Sequence, residues 1–395
     1  MSGALEGLRV LDFSRLLPGP YCTWLLADMG AEVIRIENPR EVRKQAAVFG
    51  WEKLSGPERR RIRQQDILGR NKQSVMLDIG DPDAQQALRK LAEGCDVLVE
   101  DYRPGVLAGL GLGHDDLAKV NPALVYCSVT LCGQTGPYRD KPGHDPVALS
   151  IAGVMSCIGE NPDEPAFSGI PAADIVTGTH AAFGVLAALA ARDRTGKGQH
   201  VDVAMTDCAM TLLANVLSRH PDPAAIPPRG TRRADMGLWR TSDGKFVCTT
   251  DMEPRYWAIF CQTVGKPEFV PLQNDVSARP MIRAELERIF AAKTQAEWLE
   301  ILESAGTQFA PVLDIGEALA NEHNRARGMV VDLATEDGTV RQLGTPVKLT
   351  ATPGTARTPA HSPGADTRQV LEALDLPGVD VSRLIASTAG LAPVQ

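Results

Sequence analysis

The chain carries LRVLDF at residues 8–13, YCTWLLADM at 21–29 and EVIRI at 32–36. The first and third runs are short and rich in branched aliphatic side chains, as buried strands are, and the middle run has the length and composition of a helix. A strand, a helix and a strand in this order predict two parallel strands joined by a crossover helix. This unit indicates that the fold class is α/β.

The same alternation continues downstream. We predict strands at residues 74–79, 96–100 and 124–129 and a helix at 84–93, which together make a doubly wound, Rossmann-like parallel sheet. No G-x-G-x-x-G follows the first strand, so the sequence does not support a nicotinamide or flavin site of the usual kind. We therefore expect a ligand of another class.

The pattern changes beyond residue 220. The stretch from Pro221 to Arg233 is rich in Pro and Arg and is predicted to be a linker. The segments that follow are predicted to be a hairpin at 237–250, helices across 256–310, a second hairpin at 330–343, a Pro- and Thr-rich stretch at 345–363 and a terminal helix at 366–374. Both hairpins are expected to turn at an Asp-Gly pair.

Composition fits a globular protein and limits its partners. The 395 residues are enough for two domains, with 44% hydrophobic and 23% charged residues. A formal net charge of −8 argues against a nucleic-acid-binding protein. The cysteines include no C-x-x-C pair, so we expect reduced thiols, no metal site and a cytoplasmic location. No signal peptide is visible and no membrane partner is expected.

Asp174 is the most informative single position. It directly precedes residues 175–191, where no Asp, Glu, Lys or Arg occurs, and this run predicts a buried helix. A carboxylate at the start of such a helix faces unpaired N–H groups and the positive end of the helix dipole, which would hold it ionised as a nucleophile or a base. The alternative is that Asp174 only caps the helix, because Asp is among the preferred N-cap residues.

Short motifs spread over nearly the whole chain point to one family. They include Gly-His-Asp at 143–145 and Glu-Pro-Arg-Tyr-Trp at 253–257. The others lie at residues 7–13, 27–37, 103–106, 133–138, 194–199 and 364–367. In this order and spacing they resemble the CaiB/BaiF superfamily, which comprises the family III CoA-transferases and the α-methylacyl-CoA racemases.

The resemblance implies a domain arrangement and a partner. It implies a Rossmann-like large domain built from both chain ends, 1–220 and 331–395, a linker at 221–234 and an inserted smaller α+β domain at 235–330. It also implies that two chains thread through each other as an interlocked homodimer. Coenzyme A would arrive as part of an acyl-CoA substrate, and no permanently bound cofactor is expected.

The resemblance gives three residues candidate catalytic roles. In the racemases, the matches of Asp174 and His144 act as acid and base on the carbon next to the thioester carbonyl, and the match of Glu253 is positioned against the His. In the transferases, the match of Asp174 alone attacks the thioester and forms a mixed anhydride. Since all three residues are present, we predict a racemase or epimerase of 2-methyl-branched acyl-CoA, with a family III CoA-transferase as the alternative.

Each candidate also has a structural interpretation. His144 would then be a loop histidine and Glu253 a carboxylate at a helix start. Asp145, beside His144, is expected to be structural. Residues 12–15 look more like the transferases, and 233–237 replace a Gly-Gly-Ala-Pro-Tyr stretch that many racemases show. A third reading, a catalytically silent acyl-CoA-binding subunit, is disfavoured by the intact catalytic set.

Four residues are candidates for holding the CoA moiety. Arg103, Arg35, Asn38 and Arg40 match positions near the nucleotide in the family, and arginine suits phosphate through its planar set of N–H donors. Transferases often carry Arg or Lys where this chain has Asn38. The basic run at 59–63 is interpreted as a solvated helix face or, alternatively, as an entry surface for a phosphate-bearing ligand.

Overall fold

The computed structural model describes residues 3–228 and 233–389. The chain divides into two compact units. The first combines Met1–Ile158, Pro165–Ile226 and Arg325–Gln395, and the second combines Gly159–Glu164 and Pro227–Asn324. The first unit is thus assembled from both ends of the chain. Residues 229–232 of the predicted linker lie outside the described residues.

The first unit is built on a six-stranded parallel sheet. Its strands are β1 (Arg9–Asp12), β2 (Glu32–Glu37), β3 (Lys72–Met76), β4 (Val97–Glu100), β5 (Val125–Thr130) and β6 (His200–Ala204). They lie in the order β3-β2-β1-β4-β5-β6. Val10 of the central strand β1 pairs with Val33 on one side and Val97 on the other. This is the strand order of doubly wound nucleotide-binding folds, and the predicted α/β class is confirmed.

Helices cover both faces of this sheet. They are α1 (Pro18–Asp28), α2 (Pro39–Val48), α3 (Gly56–Gln64), α4 (Pro82–Glu93), α5 (His114–Val120), α6 (Asp145–Ile151), α7 (Ala172–Thr195), α8 (Met205–Met210) and α9 (Ala214–Arg219). Leu11 and Leu98 are buried on the face that α4 and α5 cover, whereas Val10 and Val97 are buried on the face that α1 and α7 cover. Because successive side chains point to opposite faces, each strand contributes to both cores.

Helix α7 lies against α1 at a glycine. A Cβ on Gly178 would lie 2.7 Å from the carbonyl oxygen of Pro18 and 2.8 Å from Cβ of Tyr21, so the crossing leaves no room for a side chain. By length and composition α7 is long and apolar enough to cross a membrane. In the described part of the chain its Ala181 and Val185 are buried in the core beneath the sheet.

Two predicted boundaries need correction. The first helix begins at Pro18 rather than at residue 21, because two prolines occupy its first turn, where a missing N–H costs nothing. The third strand is Lys72–Met76 rather than 74–79, since its pairing with β2 starts at Lys72 opposite Val33. Both shifts move an element toward the N-terminus without changing its type.

The second unit has its own antiparallel sheet and core. Its strands and helices are β7 (Met236–Arg240), β8 (Phe246–Thr250), α10 (Pro254–Thr263), α11 (Arg279–Phe290), α12 (Gln295–Ala305), β9 (Phe309–Pro311) and α13 (Ile315–Ala320). The strands lie in the order β7-β8-β9. The predicted first hairpin is confirmed, and Gly244 supplies the positive φ of 80° at its turn. Trp239, Trp257 and Phe290 are buried together in the core.

The chain then returns to the first unit. The elements are α14 (Glu322–Ala326) at the boundary, β10 (Val330–Thr335), β11 (Gly338–Leu343), α15 (Thr367–Glu372) and α16 (Val381–Ala389). The predicted second hairpin is confirmed with Gly338 at the turn, at φ 122°. The terminal helix expected at 366–374 is shorter, and α16 was not predicted.

Buried polar contacts hold the C-terminal part of the chain against the rest of the first unit. Arg70 and Asp28 are fully buried, and Nε of Arg70 donates to Oδ1 of Asp28 at 3.0 Å. Oδ2 of the same aspartate accepts from the hydroxyl of Thr345 at 2.9 Å. At the outer edge of β3, the N–H of Ser74 donates to Oδ2 of Asp366 at 2.7 Å. The last part of the chain therefore covers a strand edge that would otherwise be open.

Candidate active site

The strand order reverses between β1 and β4, and ligands of doubly wound folds bind where the carboxyl ends of two such strands diverge. Arg15 follows β1, and Asp101 and Tyr102 follow β4. Nε of Arg15 lies 2.9 Å from Oδ1 of Asp101, and its guanidinium lies 3.9 Å from the centre of the Tyr102 ring. This cluster lies where folds of this class have their ligand-binding crevice.

The backbone is constrained beside this cluster. Leu16 has a φ of 53°, a conformation that residues other than glycine rarely adopt, and its side chain is 59% exposed. It lies in the turn that joins β1 to α1. Such residues concentrate at binding sites, where the surrounding fold holds them in place.

Asp174 lies toward the same edge of the sheet. It is in the first turn of α7, one turn before Gly178, which contacts the start of α1. Residues four apart lie on the same face of a helix, so Asp174 projects from the face of α7 that meets the beginning of α1. Because α1 begins just after β1, this carboxyl group belongs to the carboxyl edge of the sheet.

Asp174 does not cap its helix, which corrects the alternative considered above. The helix begins at Ala172, and the cap comes from Asp145, a residue distant in sequence. Oδ2 of Asp145 accepts from the N–H of Ala173 at 2.6 Å and from the N–H of Asp174 at 3.3 Å. Asp145 thus has the structural role that was expected of it. Burial, with the nearby charge of Asp145, raises the pKa of Asp174 to about 6.

His144 immediately precedes this cap. It occupies the N-cap position of α6, and its carbonyl oxygen accepts from the N–H of Val147 at 2.9 Å. The imidazole is exposed and forms no hydrogen bond with the residues that the structure describes. Through Asp145, the structure places His144 and Asp174 at two adjoining helix starts of the first unit.

Glu253 belongs to the second unit. It is exposed at the N-cap position of α10, and its side chain makes no capping hydrogen bond. The preceding residue, Met252, is held by Nε2 of Gln273, which donates to its carbonyl oxygen at 2.8 Å and to Oδ2 of buried Asp235 at 2.9 Å. The partnership of Glu253 with His144 stays a prediction.

The candidates for holding CoA differ in whether their side chains already have a hydrogen-bond or ion-pair partner. Arg103 is exposed at the carboxyl end of β4 and forms no side-chain hydrogen bond or ion pair within the described ranges 3–228 and 233–389. The guanidinium of Arg40 pairs with Asp78 at 3.0 Å, and Asn38 caps α2 by accepting from the backbone N–H of Arg40. Arg103 is therefore the candidate most available to an incoming phosphate.

Arg35 is already paired. Its side chain is only 12% exposed and lies 3.8 Å from Glu37 and 3.4 Å from Asp66. Burial alone would lower the pKa of Arg35, but these two carboxylates raise it above its ordinary value. Two of the four arginines in the basic run are also paired, Arg60 with Asp337 at 2.8 Å and Arg63 with Glu37 at 3.0 Å.

Two acidic residues of the crevice escaped the sequence reasoning. Burial raises the pKa of Glu100 to about 7, and it raises the pKa of Asp101 to about 6 despite the neighbouring Arg15. Adjacent acidic residues at the end of a predicted strand were the available signal. Their importance depends on the strand order, which places the end of β4 beside the end of β1.

Comparison with known proteins identifies the family. Residues 5–367 match the family model described as CoA-transferase family III. The chain belongs to CoA-transferase family III. The motifs that suggested the CaiB/BaiF superfamily therefore identified it correctly.

Relatives in this family carry two kinds of name. An acyl-CoA transferase from Fusarium pseudograminearum is 32% identical, covering 95% of this chain and 85% of that protein. Human α-methylacyl-CoA racemase is 31% identical, covering 93% of each chain. The crystal structure of a CAIB/BAIF family protein from Brucella suis superposes with a TM-score of 0.81 at 27% identity, covering 95% of this chain and 100% of that one. Proteins named for both reactions therefore occur among relatives with similar sequence identity to this chain.

The raised pKa of Asp174 predicts an acidic limb in the pH dependence of either family III reaction. A nucleophile or a base must be ionised. Because the pKa of Asp174 is about 6, kcat/KM is expected to fall roughly tenfold per pH unit below that value and to be level above about pH 7. Initial rates across this range check the prediction. A limb at the position of an ordinary aspartate, about pH 4, would contradict it.

Proposed function

We propose that this protein is a racemase or epimerase that inverts the α-carbon of 2-methyl-branched acyl-CoA thioesters. His144 and Asp174 are its two acid/base groups, and Glu253 orients His144. The observation that supports this most is the link through Asp145, which follows His144 in the chain and accepts hydrogen bonds from the start of α7. An exposed imidazole and a half-buried carboxyl group therefore lie at adjoining helix starts. Inversion needs a base on one side of the carbon and an acid on the other, and an imidazole and a carboxyl group of raised pKa suit these tasks near neutral pH.

The proton inventory of the proposed reaction balances. One group removes the α-proton, the electron pair of the C–H bond moves into an enolate of the thioester, and the other group donates a proton to the opposite side. No oxidant and no second substrate is consumed. Coenzyme A is part of the substrate, and we propose no permanently bound cofactor.

The enolate oxygen needs hydrogen-bond donors. The N–H groups of Ala173 and Asp174 already donate to Asp145, so the first turn of α7 has few donors left. The backbone N–H of Asp145 donates to none of the described residues and is a candidate beside His144. We propose that it faces the developing negative charge.

A family III CoA-transferase is the second candidate. It is favoured by the half-buried carboxyl group of Asp174, which alone suffices for the chemistry, and by the transferase names among the relatives. Asp174 would attack the thioester carbonyl, CoA would leave as its thiolate, and an aspartyl anhydride would remain. Hydroxylamine added during turnover would then inactivate the enzyme and modify Asp174.

One paired experiment decides between the two reactions. The protein is incubated with a 2-methylacyl-CoA in deuterated water without an acceptor acid, and in parallel with an acyl-CoA and a free carboxylic acid. The racemase proposal expects deuterium at the α-carbon in the first reaction. Absence of exchange across branched acyl-CoAs, together with transfer of CoA to the free acid, would contradict it and support the transferase.

We also propose that the protein works as a homodimer in the cytoplasm. Helix α7 carries exposed apolar side chains at Phe183 and Leu186, and Met210 is exposed on α8. Large apolar side chains clustered at a surface are typical of contact regions between protein chains. Sedimentation equilibrium of the purified chain tests the proposal, and a monomer at micromolar concentration would overturn it.

Arg103 is expected to anchor CoA under either reaction. A charge-assisted contact to phosphate is worth about 1.5–3 kcal/mol, so Arg103→Ala should weaken CoA binding roughly tenfold to a hundredfold. The loss should shrink as salt is added. Calorimetric titration of free CoA measures the effect.

The matched control is Arg368→Ala, which removes an exposed arginine on α15 that pairs with Glu372. This variant should bind CoA as the parent does. If Arg103→Ala also retains the parent affinity while losing thermal stability, Arg103 only shapes the turn before Pro104.

A further inference from the structure

Asp145 links the two candidate catalytic segments of the first unit. It is 6% exposed, directly follows His144 in the chain and bonds to the backbone N–H of Asp174. Its stronger bond, at 2.6 Å, is to the N–H of Ala173. From sequence, only a structural role was expected of Asp145.

The first consequence of these contacts is positional. Helix α6 starts at Asp145, and helix α7 is capped by the same side chain. The distance between His144 and the first turn of α7 is therefore fixed by one residue rather than by a flexible loop. Catalytic groups need to be held within a fraction of an ångström, and a shared cap serves this purpose.

The second consequence is electrostatic. Two carboxyl groups lie near each other, and no described lysine or arginine forms an ion pair with either. The other titratable side chains on α1 and α8, which pack on α7, are Tyr21, Cys22, Asp28, Asp207 and Cys208. Asp28 is paired with Arg70, and burial raises the pKa of Cys22. Burial raises the pKa of Tyr21 and of Cys208, so both stay neutral in the working range. Asp207 is exposed to solvent.

We propose that Asp145 is a positioning residue that joins the starts of α6 and α7 and sets the ionisation of Asp174 through repulsion between the two carboxylates. The proposal rests on the proposed function only in assuming that Asp174 is the reacting carboxyl group. Its chemical effect is to make Asp174 a stronger base or nucleophile than an ordinary aspartate, while leaving it ionised at neutral pH.

Asp145→Asn removes the charge of Asp145 and keeps the helix cap. Asparagine retains a side-chain oxygen that accepts from the N–H of Ala173, so the variant should fold. Without the neighbouring charge, the acidic limb of kcat/KM should move toward lower pH by about one unit. Asp145→Ser, a second neutral cap, should shift the limb in the same direction. The control is Asp314→Asn, which alters the cap of α13 in the second unit and should leave the limb in place.

A thermal unfolding cycle tests the coupling without measuring activity. At about pH 8, Asp174→Asn should raise the midpoint of the parent by a few degrees, and the same change in the Asp145→Asn background should raise it less. Equal rises in the two backgrounds, with an unshifted acidic limb, would overturn the proposal. An acidic limb of kcat/KM that does not move, with the thermal coupling intact, would instead count against Asp174 as the reacting group.

Discussion

Asp174→Asn is expected to abolish turnover. An amide neither attacks a thioester nor accepts a proton at neutral pH, so either family III reaction should fall by at least about 10³-fold. The nearest matched control is Asp207→Asn. Asp207 is likewise the third residue of its helix, but it is exposed. That variant should retain activity within about twofold.

The same substitution is expected to stabilise the folded protein. The pKa of Asp174 in the folded state is about 6, above its ordinary value of 3.8. Folding therefore favours the protonated form, and this favourable term is complete below about pH 4 and is lost as the pH rises through about 6. Asparagine carries no charge, so the variant should gain on the order of 1 kcal/mol at pH 8, after allowance for solvent screening of a half-exposed group.

Denaturant unfolding of parent and variant at about pH 8 and about pH 4 measures this gain. A difference in the free energy of unfolding that is present at the higher pH and absent at the lower one is the expected result. A destabilised variant at both pH values would show that Asp174 is a structural residue whose removal damages the fold.

His144→Ala has the second largest expected effect. As one of two acid/base groups, its loss should reduce α-proton exchange by roughly 10²–10⁴-fold. The imidazole is exposed and forms no hydrogen bond with described residues, so the free energy of unfolding should change by less than about 0.5 kcal/mol. Deuterium incorporation at the α-carbon, followed by mass spectrometry, provides the measurement.

His323→Ala is the control for this change, since His323 is an exposed histidine of the second unit. It should exchange protons at the parental rate. If His144→Ala also exchanges the α-proton at the parental rate, His144 has only a structural role. If exchange is absent in the parent but CoA transfer survives in His144→Ala, the chain is a transferase.

The fold class could be predicted because its signals are local. The alternation of strand and helix is readable from runs such as 8–13 and 32–36, and the Asp-Gly turns of both hairpins are short motifs. The strand order could not be read in the same way, because it depends on pairing between distant strands. For this reason Arg15 and Asp101, which meet only where that order reverses, were missed.

In the candidate site, too, local features could be predicted and contacts between distant segments could not. Asp174 was found from the uncharged run that follows it, which is a local feature. The alternative that Asp174 caps its own helix was wrong, because the capping side chain, Asp145, comes from another helix and no local pattern predicts that contact. Arg35 was grouped with Arg103 as a phosphate ligand, yet Arg35 pairs with Asp66, which is distant in sequence and which no local pattern links to it.

The order of synthesis gives the contacts at Asp28 and Ser74 a further meaning. A ribosome completes all six strands of the sheet by residue 204, well before it reaches Asp366, which covers the edge of β3. Until then the nascent first unit carries a bare strand edge and a guanidinium at Arg70 that still lacks its later partner Gln342. The unit can be completed only after Asp366 has been synthesised. A prematurely terminated product would therefore keep an unpaired strand edge, which molecular chaperones and proteases can recognise.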